Sequence, residues 1–183
     1  MLNDLVLKNR SYRRFYQDVT MELETLRELV NLARLSASGS NRQALKYILS
    51  NDPHRNSLIF KNITLAGNPG EDEAPTAYIV ILGDKTISST FGCDCGIAAQ
   101  SILLGAVEKG FGGCMVGLIK RENLAKALKI PPQLEILLLL LQGKPKEAPV
   151  IESTFKDGTN MSWVDDEGVR HVPKRSLDDI AVD

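Results

Sequence analysis

The chain has 183 residues, 43% of them apolar and 25% charged, which fits one domain and argues against intrinsic disorder. A chain this long buries roughly two-thirds of the surface its unfolded form exposes, so it needs no disulfide or metal staple. Its 22 Lys and Arg against 23 Asp and Glu leave a formal charge of −1, which provides no overall field for capturing nucleic acid or an anionic membrane.

In chain order, Leu2 to Lys8 is predicted as a short helix that stops near Asn9, a residue tolerant of a left-handed cap. A basic turn follows, Arg10-Ser11-Tyr12-Arg13-Arg14. Thr20 is placed to cap the next helix, with Glu22 and Glu24 in its first turn and Leu23, Leu26, Val30 and Ala33 on one face. Ser36 to Asn41 is a loop by composition. Tyr47 to Leu49 reads as a short strand, and Asp52-Pro53 as a helix start with Asp as cap and Pro at the first helical position.

A polar loop, Ala66 to Ala74, leads into Ala77 to Leu82, an apolar run bounded by turn residues and therefore a strand buried on both faces. Asp94 is expected to cap a helix over Cys95 to Lys109 that is apolar nearly all round, hence buried in a core or between subunits. Gly110, Gly112 and Gly113 end it, and Met115 to Ile119 is predicted as a strand. Arg121 to Lys129 is a helix stopped by Pro131-Pro132; Leu134 to Leu141 is a second buried strand closed by Gly143-Lys144-Pro145. The tail from Thr154 is polar, with two short extended pieces around an acidic Gly turn between Trp163 and Arg170, and a last apolar-acidic turn from Leu177 to Val182. The mixed order of helices and strands argues for an α+β chain or a modified α/β sandwich.

Cys93, Cys95 and Cys114 suggest no disulfide framework and a reducing compartment. A structural zinc site needs about four ligands and no second Cys pair is present, so these cysteines are read as buried small hydrophobes and no metal is expected. The beginning of the sequence lacks a basic-then-apolar signal pattern, and apolar runs such as Ile136 to Leu141 fall far short of a membrane span of ~20 residues. The expectation is a cytoplasmic protein without nucleic acid or membrane as partner. No dinucleotide fingerprint, Walker-type loop or hydrolase elbow occurs. His54 is expected to face solvent and His171 lies in the polar tail, so a hydrolytic triad or a histidine metal site has little to build on.

Four weak signals remain. Arg10-Ser11-x-Arg13 offers two guanidinium groups and a hydroxyl for a phosphate; a solvated basic turn is the plain alternative. Ser38-Gly39-Ser40-Asn41-Arg42-Gln43 carries side-chain amides suited to a ring edge of alternating donors and acceptors, or is simply a helix-terminating loop. Gly112 to Gly117 lets backbone N–H groups approach a flat ligand, or is a tight turn. Lys174-Arg175 can close over an anion, or is a charged tail.

In this order the segments resemble the nitroreductase family of FMN-dependent oxidoreductases over nearly the whole chain. Arg10-Ser11-Tyr12-Arg13-Arg14-Phe15 is similar to its R-S-x-R-x-F phosphate segment, and Ser38-x-x-Asn41-x-Gln43 to its P-S-x-x-N-x-Q-P-W segment. Cys95 to Lys109 resembles the long central helix, Gly110 to Gly117 the G-x-G-S-C-x-I-G turn, Gly143-Lys144-Pro145 the G-x-P, and Pro173 to Leu177 the closing K-R segment. Two departures stand out: Ala37 replaces the family Pro, and Ala44-Leu45 replaces Pro-Trp. They bear on the edge of the substrate pocket more than on FMN binding. The stretch between Leu65 and Pro75 is short, which leaves the flavin face open or differently covered.

The resemblance implies a single nitroreductase-like FMN-binding domain over 1–183. The implied fold is an α+β three-layer sandwich, with a mixed, mostly antiparallel sheet and helices on both faces. It implies a homodimer with two FMN sites at its interface. Arg10, Ser11, Tyr12, Arg13, Lys174 and Arg175 would hold the phosphate and ribityl chain. Asn41 and Gln43, with Ser38 nearby, would face the ring edge, and the backbone at Val116, Gly117 and Leu118 the flavin N5 and O4. NADH or NADPH would reduce the flavin, and a small electron-poor acceptor such as a nitroaromatic or quinone would reoxidise it. The cofactor carries that chemistry, so no catalytic side chain is named. A flavin-binding sensor or store without turnover, and a non-flavin module that binds another phosphorylated ligand, stay open beside it.

Overall fold

The computed structural model describes residues 1–153, 155 and 158–182. In chain order the elements are α1 (Leu2–Lys8), β1 (Phe15–Tyr16), α2 (Leu23–Leu35), β2 (Leu45–Ser50), α3 (Pro53–Phe60), β3 (Ala77–Asp84), α4 (Asp94–Glu108), β4 (Gly112–Val116), α5 (Arg121–Ala127), β5 (Leu134–Pro145), β6 (Val150–Glu152), β7 (Trp163–Val164) and β8 (Arg170–Pro173). They fall into two compact units, Met1–Pro145 and the residues from Lys146 onward.

In the first unit the two long apolar runs become the middle of an antiparallel sheet. β3 pairs with β2 on one edge and β5 on the other; β5 in turn pairs with β4, and its last two residues pair with β1. All eight residues of β3 are buried. Alternation sends Tyr78, Val80 and Leu82 to a core with Ile59 of α3 and Leu124 of α5. Ala77, Ile79 and Ile81 go to a second core with Leu26 and Leu29 of α2 and Ala99 and Ile102 of α4. Helices therefore cover both faces, the three-layer α+β arrangement expected. Each fully buried Leu or Ile contributes roughly 1.5–3 kcal/mol, so this double-sided sheet carries much of the stability.

Ile81 pairs with Leu138 but Leu82 with Ile136, so Leu137 bulges out of β5. Arg121, at the start of α5, satisfies the disturbed carbonyls: Nε donates to Ile136 at 3.0 Å and Nη2 to Leu137 at 3.3 Å.

Several local expectations shift. α2 begins at Leu23 after Glu22 and has no side-chain cap, instead of starting at Thr20. Met21 is fully buried and its carbonyl accepts from Asn51 Nδ2 at 3.2 Å, which holds the entry extended. Leu29 takes the core position expected of Leu23, which is exposed. Asn9 is extended (φ −74°), not left-handed. The fourth strand covers Gly112–Val116, not 115–119, because its glycines serve close approach to β5 and not only the turn. A Cβ at Gly113 would run into the Leu141 carbonyl oxygen. Asp52 caps α3 as expected, accepting from Arg55 N at 2.7 Å.

The second unit is a small three-stranded sheet in which β6 runs parallel and β7 antiparallel to β8. The acidic turn forms between β7 and β8, with Gly168 at φ 82°. Thr154, where the polar tail begins, lies outside the described residues.

Candidate functional site

The basic segment after α1 lies along β4. Ser11 bridges Gly113 in parallel, and Tyr12 N donates to the Gly113 carbonyl at 3.0 Å. The Tyr12 ring covers Gly112, where a Cβ would lie 2.6 Å from Tyr12 Cδ2, and its hydroxyl donates to Lys8 O at 2.5 Å. Arg10 Nη2 donates to Val6 O at 2.7 Å, while its Nε is buried without a hydrogen-bond partner among the described residues. Arg13 Nη1 donates to Ser11 O at 3.1 Å. Arg14 pairs with Glu73 and so ties this segment to the Ala66–Ala74 loop.

The Ser38–Gln43 loop sits elsewhere. It contains a short 3-10 turn over Gly39–Asn41, and Ser40, Asn41 and Gln43 all have φ near +51° to +52°. Non-glycine residues pay for such left-handed backbone, so the loop must be held by its surroundings. Asp94 does this. It was expected to cap α4, but Cys93 is the N-cap residue and the buried Asp94 carboxylate turns to the loop instead. Oδ2 accepts from Ser38 Oγ at 2.7 Å and Oδ1 from Gly39 N at 2.9 Å. Ser38 Oγ accepts from Gln43 N at 3.0 Å, and Gln43 Nε2 donates to Asn41 Oδ1 at 3.1 Å. A cavity of about 140 Å3 lies under the loop, lined by Ser38, Gln43, Tyr47 and Asp94 among others. Burial, and secondarily the Asp94 charge, pushes the Tyr47 hydroxyl up to about 12. Ala44, at the first Pro-Trp position, is buried, and its carbonyl accepts from Asp84 N at 2.8 Å.

At the far end of β4, Val116 is buried opposite Leu139. The Gly117 and Leu118 carbonyls are occupied by Ile119 N and Thr64 N, each at 3.0 Å. Nothing lies within 4 Å of where a Gly117 Cβ would stand, and Leu118 is 70% exposed, so this backbone borders open space.

Register shows which groups converge. Gly113 to Gly117 is four residues of extended chain, about 13 Å, so Arg10–Arg13 and the 116–118 backbone flank one strand. Ser11 is level with Gly113, which pairs with Gln142 and through it with Ala77. Ala44, beside Gln43, is bonded to Asp84. Seven residues of β3 separate those levels, roughly 23 Å at ~3.3 Å per residue. Within one chain, the basic segment and the Ser38–Gln43 loop therefore stay apart.

Lys174 and Arg175 belong to the second unit and are exposed; Lys174 N donates to Glu152 O at 2.8 Å. Beside them stands a cluster that the sequence reading missed. His171 Nδ1 lies 2.7 Å from Glu152 Oε1 and Nε2 lies 3.0 Å from Asp165 Oδ2, with Trp163 stacked on the ring at 5.1 Å. Two carboxylates on two ring nitrogens call for the doubly protonated imidazolium. The bond to Asp165, then that to Glu152, raises the His171 pKa; the same bond, then the Val169 N–H, lowers that of Asp165.

Of the cysteines only Cys114 is buried; Cys95 is half-buried and Cys93 exposed at the start of α4. Among the described residues no cluster of three or more His, Cys, Asp or Glu side chains could hold a metal, and no helix is long and apolar enough to cross a membrane.

A family model described as the nitroreductase family matches residues 55–144, from α3 through β5. Over those residues the chain is similar to the nitroreductase family. The chain is 27% identical over 152 residues to the "Putative NADH dehydrogenase/NAD(P)H nitroreductase" of Archaeoglobus fulgidus, covering 78% of this chain and 84% of that one. Its fold is shared with an FMN-dependent nitroreductase from Clostridium difficile R20291 (TM-score 0.67, 24% identity, 84% of this chain and 91% of that one). It is also shared with the NADPH:FMN oxidoreductase from Vibrio harveyi complexed with NAD+ (TM-score 0.70, 20% identity, 85% of this chain and 74% of that one).

Proposed function

We propose that this protein is an FMN-dependent oxidoreductase of the nitroreductase family that takes hydride from NADH or NADPH and delivers it to a small electron-poor acceptor such as a nitroaromatic or a quinone. The observation that carries the reading is the pairing along β4 of a basic cradle at Arg10–Arg13 with open backbone at Gly117–Leu118, about 13 Å apart, a separation suited to a mononucleotide's phosphate and ring. The buried, unpartnered Arg10 Nε fits an anion acceptor at the cradle. The FMN-dependent relatives of the same fold support the cofactor.

FMN, when bound, supplies the two-electron chemistry between nicotinamide and acceptor. The chain's part is to bind and orient. Arg10, Ser11, Tyr12 and Arg13 hold the phosphate and ribityl chain. Asn41 and Gln43, with Ser38 behind them, offer donors and acceptors to the ring edge, and the Val116–Leu118 backbone lies against the ring. No side chain is assigned as acid or base. Donor and acceptor share one face, which gives ping-pong kinetics.

The separation of roughly 23 Å between the basic segment and the Ser38–Gln43 loop supports a homodimer in which each flavin takes its phosphate cradle from one chain and its ring-edge loop from the other. The half-buried Ile97, Leu104 and Val107 on α4 suit packing across a two-fold axis. The residues from 1 to 183 act in this reading as one FMN-binding domain.

Titration of apo-protein with FMN and riboflavin tests the assignment. Arg10→Ala removes a charge-assisted bond of about 1.5–3 kcal/mol, so FMN affinity falls about ten- to a hundredfold while riboflavin affinity stays unchanged. Equal losses for both flavins, or none, would refute the phosphate role.

A further inference from the structure

We infer that Asp94 is the positioning residue of the ring-edge loop: its buried carboxylate holds residues 38–43 in the conformation that presents Asn41 and Gln43. The inference rests on the flavin reading for what the loop touches, but the holding role stands on contacts within the chain.

Both Asp94 oxygens are taken by one loop more than fifty residues away in sequence, one by a side chain and one by the backbone. The connection continues through Ser38 Oγ to Gln43 N and through Gln43 Nε2 to Asn41 Oδ1, so a single carboxylate sets both amide-bearing residues. The loop needs such an anchor because three of its residues, Ser40, Asn41 and Gln43, sit in left-handed backbone that none of them prefers. Asn41 and Gln43 are exposed, so packing does not hold their side chains. The anchor itself is rigid. Asp94 opens α4, whose Ala98, Ala99, Ile102 and Ala106 are locked in the core against α2 and β3. A site loop fixed to a core helix is set more sharply than one closed on itself.

Asp94→Asn keeps the shape and leaves an acceptor for Gly39 N, but its NH2 group cannot accept from the Ser38 hydroxyl. Amide exchange on the apo-protein, followed for Gly39 and Gln43, should speed up in Asp94→Asn and in Ser38→Ala, which cuts the same link from the loop side without touching α4. Both variants should then lose about tenfold in affinity for FMN and for riboflavin alike, since the ring is common to the two. The absorbance band of the bound flavin should also shift. The double variant should lose no more than either single one, because both break one chain of bonds. Unchanged exchange at Gly39 and Gln43 would overturn the holding role. Faster exchange with unchanged riboflavin affinity and band shape, or additive losses in the double variant, would overturn the positioning of the ring edge. A wild-type protein that binds neither flavin would sink the functional reading and the ring-edge role with it, while the exchange rates would still decide whether Asp94 holds the loop.

Discussion

Gly113→Ala tests the packing that brings the N-terminal segment to the sheet. The new methyl would meet the Leu141 carbonyl oxygen and stand 2.8 Å from Leu103 Cδ2. Leu103 is a side chain and can turn. Leu141 cannot yield, because it lies in β5 between Tyr78 of β3 and Cys114 of β4. Relief requires β4 to draw away from β5. Overpacking of this kind costs about 1–3 kcal/mol, and surrender of two ladder hydrogen bonds about 1–3 kcal/mol more. Because the two overlap, the expected loss is about 2–4 kcal/mol. At ~2–4 °C per kcal/mol for a chain of this size, Tm falls by about 4–16 °C in a thermal melt. Gly117→Ala is the control: with nothing within 4 Å, it leaves Tm within about 2 °C. The reasoning fails if Gly113→Ala melts like wild type, or if adding Leu103→Ala restores the melting temperature, since that would put the strain on the side chain and not on the backbone.

Gln142 is fully buried and neither its Nε2 nor its Oε1 has a hydrogen-bond partner among the described residues. Gln142→Met keeps the shape and should therefore stabilise by about 1–3 kcal/mol, seen as a higher denaturant midpoint at constant slope; a lower midpoint would show that the amide is satisfied. The raised His171 pKa makes its contribution to the C-terminal unit complete below about pH 6.5 and lost as pH rises through the raised value. Fluorescence of Trp163, the single tryptophan, should follow that step with a midpoint above 6.5, and His171→Gln should abolish it. The lowered pKa of Asp165 has the opposite sense: its contribution is present above about pH 4 and lost as pH falls through the lowered value. In Asp165→Asn the His171 step, read by NMR, should move to lower pH, and an unmoved step would contradict the assignment.

The elements legible in the sequence are those with one dominant local cause. α1 and the start of α3 follow from a short amphiphilic run and from Asp52-Pro53. The runs that become β3 and β5 are apolar on both faces because helices cover both. What escaped the sequence depends on distant partners. Gly112 and Gly113 read as a turn, yet they are strand residues whose missing side chains admit Tyr12 and Leu141. Asp94 reads as a helix cap, but a loop near residue 40 offers its carboxylate a better pair of donors than the helix end does. His171 looked like one polar residue in a polar tail, because the acceptors on its two nitrogens come from β6 and from the turn after β7. The candidate site was legible as motif segments, and their division between the two ends of β3 became visible only through strand register.

The visible spectrum of the purified protein under anaerobic conditions, before and after NADPH or NADH, tests the central claim most directly. The account predicts a yellow protein whose flavin is FMN on release, whose absorbance bleaches with a reduced nicotinamide, and whose colour returns when a nitroaromatic or a quinone is added. A protein that takes up no FMN, or one that holds FMN whose absorbance persists with both nicotinamides, would contradict it.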